Sequence, residues 1–239
     1  DCVAPNNFDK PEFLVALENQ SVNDGDTKTV NYKNNINGFN VNVGYKESKF
    51  GNFDVPNGAV IHEEEDHDEH EEEDHDEHEE EEHEEHASTL FKTDSSEYGA
   101  IFDISNDNMT QKIALNLVDE SSSIVGEEAF MNPANNEVLT LGYFVGQDFD
   151  LFHVDLGIRL DQVTRSGSIT DEEHGDVDNF TIDDDVSSFA VSIGRDLSDT
   201  LELNLGFSSV ERLPSVIELF MNGPHMASGR FEVGDPTLS

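Results

Sequence analysis

Apolar and polar residues alternate along much of this chain. The clearest run is Phe152, Val154, Leu156, Ile158 and Leu160, with His153, Asp155, Gly157, Arg159 and Asp161 between them. A period of two places the two sets on opposite faces of a β-strand. The same period links Phe39/Val41/Val43/Tyr45, Ala100/Phe102/Ile104, Ile113/Leu115/Leu117, Leu139/Leu141/Tyr143/Val145, Phe189/Val191/Ile193 and Leu201/Leu203/Leu205/Phe207, with a weaker Val30/Tyr32. The pattern predicts eight strands, over 28–33, 38–47, 98–105, 110–119, 137–146, 151–163, 186–195 and 200–210, and no comparable run has helical periodicity.

The connections carry as much information as the strands. Tight turns rich in Asn, Asp, Gly or Ser fall near 34–37, 106–109, 147–150 and 196–199. Between them lie long segments, 48–97, 120–136, 164–185 and 211 onward. Short and long links in alternation are what an antiparallel up-and-down meander gives when one end of the sheet is trimmed and the other decorated. Outer-membrane β-barrels have this asymmetry, with their longer loops outside the cell. The alternation itself fits two architectures. In a soluble sandwich the apolar face meets a second sheet; in a barrel it meets lipid, and the polar face lines a wet lumen.

Charge narrows the partners. The 239 residues hold 54 acids against 12 Lys and Arg, a formal charge of −42. Such a chain lacks the cations that displace counterions from nucleic-acid phosphate, so no nucleic-acid partner is expected. The longest apolar run is Phe13 to Leu17, far short of the about 20 residues of a membrane helix. Cys2 is the single cysteine, so it is either a free thiol or paired outside this chain. No signal peptide is visible, and a chain opening on Asp1 reads as a piece of something longer. The sequence has no GxSxG, HExxH, P-loop or GxGxxG pattern, so no catalytic or organic-cofactor site is assigned and the chain is read as a non-enzyme.

One segment exaggerates the acidity. From His62 to His86 the chain reads HEEEDHDEHEEEDHDEHEEEEHEEH, 7 His and 18 acids in 25 residues, with an octad repeated three times. Without those 18 acids, 36 remain against the 12 bases, a balance of −24. Unscreened carboxylates repel, and the tract has nothing apolar to bury, so it is expected to be disordered without metal. Carboxylate and imidazole both bind divalent metals, imidazole favouring zinc, copper and nickel. His67/His70, His75/His78 and His83/His86 are i, i+3 pairs. An eight-residue repeat turns about 80° beyond two helical turns, so the pairs would spiral rather than line one face. Several weak, exchangeable sites are expected, drawn from His62, His67, His70, His75, His78, His83 and His86, with zinc first and calcium also possible. The bland reading is a solvated low-complexity spacer.

Four stretches carry a family resemblance. FGNFDVPNGAVIHEEEDHDEH (50–70), VGEEAFMNP (125–133), LGIRLDQVTRSG (156–167) and above all FSSVERLPSVIELFMNGPHMASGRFEVGDPTL (207–238) are similar to the TonB-dependent outer-membrane receptors, in particular the branch associated with zinc uptake. Phe50 stands where that branch usually has Tyr. The resemblance implies that residues 1–239 are part of the β-barrel domain of a transmembrane barrel, with the His/Glu loop at 62–86 extracellular. Such barrels have about 22 strands around a plugged lumen, so eight strands are roughly a third of the wall. No plug, TonB box or aromatic-ended final strand is recognisable in these residues.

The resemblance further implies a Gram-negative outer-membrane location, lipid around the barrel, and energy supplied by the TonB complex acting on a plug encoded elsewhere. The cargo would be a divalent metal or a metal chelate, most simply zinc, captured first by the His/Glu loop. His225, in the Gly-Pro-His motif near Arg212 and Glu218, is a further metal ligand or a loop-packing residue. His174 in DEEHGDVDNF and the acids Asp183–Asp185 are weaker metal candidates, and His153 reads as a lumen residue. The rival readings are a secreted or surface-attached acidic metal-binding β-sandwich, and a halophile's acidic surface protein, which would not explain the octads.

Overall fold

A computed structural model describes residues 8, 10–52, 89–106, 108–126, 129–171, 174–198, 201–225 and 230–238. Nine strands form one antiparallel sheet in strict chain order: β1 (Glu12–Gln20), β2 (Gly25–Ile36), β3 (Phe39–Phe50), β4 (Leu90–Asp103), β5 (Met109–Val125), β6 (Ala134–Asp148), β7 (His153–Thr170), β8 (Val177–Ser198) and β9 (Leu201–Val210). A single helical turn, α1 (Val216–Phe220), and a small hairpin of β10 (Asn222–His225) and β11 (Arg230–Val233) follow. No helix among the described residues is long and apolar enough to cross a membrane, which leaves β-strand spanning untouched.

The all-β, up-and-down meander is therefore the fold. Its trimmed end carries the turns after β2, β4, β6 and β8, and its other end carries the β3–β4, β5–β6 and β7–β8 connections and α1. Among the described residues the nine strands form one sheet, accompanied by the two-stranded β10–β11 sheet.

Register turns the alternation into bands. One row across the sheet runs Tyr32–Val43–Ala100–Leu115–Leu141–Leu160, and all of these apolar side chains but the half-buried Ala100 stand exposed; Leu141 is 44% exposed. Two rows toward the decorated end the same face reads Glu47–Ser96–Asp119–Glu137–Thr164–Asp183. The Tyr45 and Tyr98 rings meet at 4.8 Å between these rows, and Phe149 stacks on Phe152 at 4.7 Å at the opposite limit of the band. Along β7 the apolar stretch from Phe152 to Leu160 covers about 27 Å at ~3.4 Å per residue. The other face is polar: Asn116 donates to Glu97 at 3.0 Å, Thr140 to Asp161 at 2.5 Å, and Ser192 to Asp155 at 3.0 Å.

The sequence-based elements need three corrections. β1 is a ninth strand, unpredicted because Phe13–Leu17 is a continuous apolar run without alternation. The segments expected as loops at 120–136 and 164–185 are largely strand, leaving connections of 126–133 and 171–176. There β5, β7 and β8 continue with Ser, Thr, Asp and Arg among a few apolar residues such as Ile124, Phe180 and Ile182, so the backbone ladder persists where the long hydrophobic period has stopped. Finally, the long segment expected from 211 onward holds α1 and the β10–β11 hairpin, each too short to show a period.

Candidate functional site

The buried apolar cluster lies at the decorated end, not mid-sheet. Ile124, Met131, Ala134, Leu219 and Phe220 form it, with Ala129, Phe130, Phe180, Ile182 and Val216 packed around them. Two of the sequence motifs, 125–133 and 207–238, thus meet in space. Their contact builds a cap over the ends of β5 to β8.

The cap is assembled by local chemistry. Ser215 is the N-cap of α1: its hydroxyl accepts from the Glu218 amide at 3.3 Å, and Glu218 accepts from the Ser215 amide at 2.7 Å. This reciprocal capping box satisfies two backbone donors that a helix start would leave free. Arg212 donates to both Glu218 oxygens at 2.8 and 3.0 Å. The Ser215 amide, then the Ser215 side chain, then Arg212 hold the Glu218 carboxyl below its ordinary value. Leu219 and Phe220, one turn on, are fully buried.

Arg165 anchors the approach to this turn. Its side chain is 2% exposed, pairs with Asp184 across β7 and β8, and donates from Nη1 to the Pro214 carbonyl at 2.5 Å. A planar guanidinium serves both partners at once, which a lysine ammonium would do without the fixed fork. The hairpin is tied down separately. The Asn222 amide donates to Phe130 O at 2.7 Å and its side chain to Thr170 O at 2.7 Å. A Cβ on Gly223 would fall 2.6 Å from Phe130 Cα, so this close approach requires glycine.

The same end holds the stem of the His/Glu loop. Asn52 closes it: its Oδ1 accepts from the Phe91 amide at 2.5 Å and its Nδ2 donates to Thr89 O at 2.7 Å. Beside it the Gly51 amide donates to Asn23 O in the β1–β2 turn at 2.8 Å. Phe91 then meets Phe130, ring centroids 5.9 Å apart. Through Phe130 the loop stem and the β10 strand are joined.

His62, His67, His70, His75, His78, His83 and His86 lie outside the described residues, as does Cys2. His225 lies in β10, its backbone opposite Arg230. Arg212 and Glu218, expected near it, pair with each other. His174 is exposed, with Nδ1 3.6 Å from Asp171. His153 is on the polar face, where its ring covers Gly194. Asp183 to Asp185 alternate across β8; Asp183 accepts from Thr164 at 2.6 Å and Asp184 pairs with Arg165. Among the described residues no group of three or more His, Cys, Asp or Glu side chains is placed to hold a metal ion. The sequence reading did not single out Arg165, Asn52 or Phe130. A scarce cation in a chain with 12 of them was the available sign for Arg165; the other two carry none.

No family model matches the sequence, and no curated protein matches it. Among solved structures, it is similar to a double mutant of the Serratia marcescens hemophore receptor HasR, solved with its hemophore HasA and heme. The identity is 13% and the TM-score 0.57, over 90% of this chain and 34% of that one. The chain thus spans about a third of that receptor's length and shares the fold of the stretch it covers.

Proposed function

We propose that this chain is a wall segment of a TonB-dependent outer-membrane importer, its apolar band in lipid and its decorated end outside the cell. The observation that carries the reading is the exposed band itself: Leu115, Leu141 and Leu160 stand uncovered, bounded by tyrosines on one side and by acids beyond them. An apolar belt with aromatic edges is what a lipid-facing barrel wall presents. The shared fold with the HasR barrel supports it, as do the motifs at 125–133 and 207–238.

The cargo we assign is a divalent metal, zinc first. The tract His62–His86 leaves the sheet at the Asn52 stem, on the decorated end. There its 18 acids draw cations by their field and its 7 imidazoles hold them weakly enough to release them. No chemistry is performed on the cargo. Transport would draw on the TonB complex through a plug outside these residues.

Calorimetric titration of a peptide spanning Asn57–Ser88 with zinc, against nickel, copper and calcium, tests the metal assignment. Several sites of micromolar strength preferring zinc or its transition-metal neighbours over calcium are expected. Binding no stronger than that of poly-glutamate would overturn metal capture and leave the tract a charged spacer.

A further inference from the structure

A cleft of about 570 Å³ opens at the loop stem, lined by Asn23, Phe50, Gly51, Asn52, Phe91 and Thr93. None of these six side chains carries a charge, in a chain of net charge −42. Phe50 and Phe91 supply two aromatic surfaces, and Phe130 extends the second one, 5.9 Å from Phe91. Thr93, Phe91 and Phe50 lie on the polar face of the sheet by register. The volume is in the range of small-molecule sites, which pair apolar walls with a few fixed polar groups.

One polar atom in it is left over. The side chain of Asn52 is spent on closing the stem. Asn23 is 6% exposed, and its Oδ1 has no hydrogen-bond partner among the described groups. That oxygen sits over Gly25, where a Cβ would fall 2.7 Å from it and 3.0 Å from the Phe50 ring. A buried amide oxygen without a donor costs roughly 1–3 kcal/mol, and this one belongs to a residue that lines an aromatic-walled space.

We propose that this cleft binds an uncharged organic ligand with a planar apolar body and one N–H or O–H donor, the body between Phe50 and Phe91 and the donor on Asn23 Oδ1. A bare metal ion is not its ligand, because none of the lining side chains is a carboxylate, imidazole or thiolate. The assignment is independent of the metal reading of the tract, and its failure leaves that reading intact.

The chain has no tryptophan, so the fluorescence of added indole reports binding against a clear background. The test titrates the full chain in detergent micelles with indole and N-methylindole, using empty micelles as reference. Indole is expected to saturate and to bind about tenfold more tightly than N-methylindole, which lacks the donor, a tenfold change being about 1.4 kcal/mol. Phe91→Ala should weaken both probes, and Asn23→Ala should abolish the difference between them. Equal affinity of the two probes for the unaltered chain, or signal no different from empty micelles, overturns the proposal even if Asn23→Ala fails to fold.

Discussion

The ring of Phe220 lies flat against the bare backbone of Gly167: a Cβ at Gly167 would fall 2.5 Å from Cδ2, 2.8 Å from Cγ and 2.9 Å from Cε2. Phe220 is fully buried, and Phe180, the cross-strand partner of Gly167, stacks with it at 6.2 Å. The ring has nowhere to retreat. The contact ties α1 to β7 across more than fifty residues of sequence and fixes where the cap sits.

Gly167→Ala should therefore loosen the cap while leaving the sheet. Overpacking a filled site costs about 1–3 kcal/mol. Hydrogen exchange at Leu219 and Met221, whose amides bond back to Ser215 and Ile217, should accelerate by one to two orders of magnitude at roughly 1.4 kcal/mol per decade. Unchanged exchange would show that the ring has room the structure does not give it.

The capping box predicts an acid-sensitive cap. The Glu218 carboxyl is held below its ordinary value of 4.5, chiefly by the Ser215 amide. A depressed folded value means the stabilisation is whole above the unfolded pKa and disappears as pH falls through the folded one. Proteolysis of the 211–221 segment should be flat from neutral pH down to about the ordinary carboxylate range, then rise below it. Glu218→Gln, which cannot ionise, should be more easily cut at neutral pH and lose that step.

Charge placed in the apolar band separates lipid from water as its surroundings. Leu141 lies mid-band, and its neighbour Thr140 faces the other way, toward Asp161. In a bilayer Leu141→Arg should cost about 2–4 kcal/mol near the midplane, read as a lowered unfolding midpoint in lipid vesicles. Thr140→Ser should cost little. A sheet whose Leu141 face sees water would accept the arginine without loss.

Deleting His62–His86 should matter only when metal is scarce. If the tract concentrates cations before they enter, its loss weakens zinc uptake at limiting zinc and leaves it nearly normal at abundant zinc. Equal loss at both concentrations would make the tract part of the pore machinery instead.

How far the fold is legible depends on what each residue faces. From Phe152 to Leu160, one side of β7 is apolar and the other polar, so the period is plain in the sequence. Beyond Leu160 the side chains are polar apart from Val163 and Ile169; the ladder runs on to Thr170, yet no period in the side chains marks it. Phe13–Leu17 hides β1 for the opposite reason, being apolar on both faces of an edge strand. The Ser215-x-x-Glu218 spacing is a helix-start signature, but five residues of helix give no periodicity to confirm it. The site is less legible still. Asn23, Asn52 and Phe91 converge only through strand register, and no local pattern announces that Phe130 will join the loop stem to β10.

The unequal length of β8 and β9 has a consequence for assembly. Val210 pairs with Ser188, so β9 stops while β8 continues to Val177, and Val177–Ser187 has no strand partner on that side among the described residues. A bare strand edge invites foreign strands, and charge along it is a common deterrent. Asp183, Asp184 and Asp185 fall within that stretch. Another chain approaching to add a strand would have to bury the exposed carboxylates of Asp183 and Asp185 beside its own backbone. Their charge discourages that edge from adding a foreign strand, a job that needs no ligand at all.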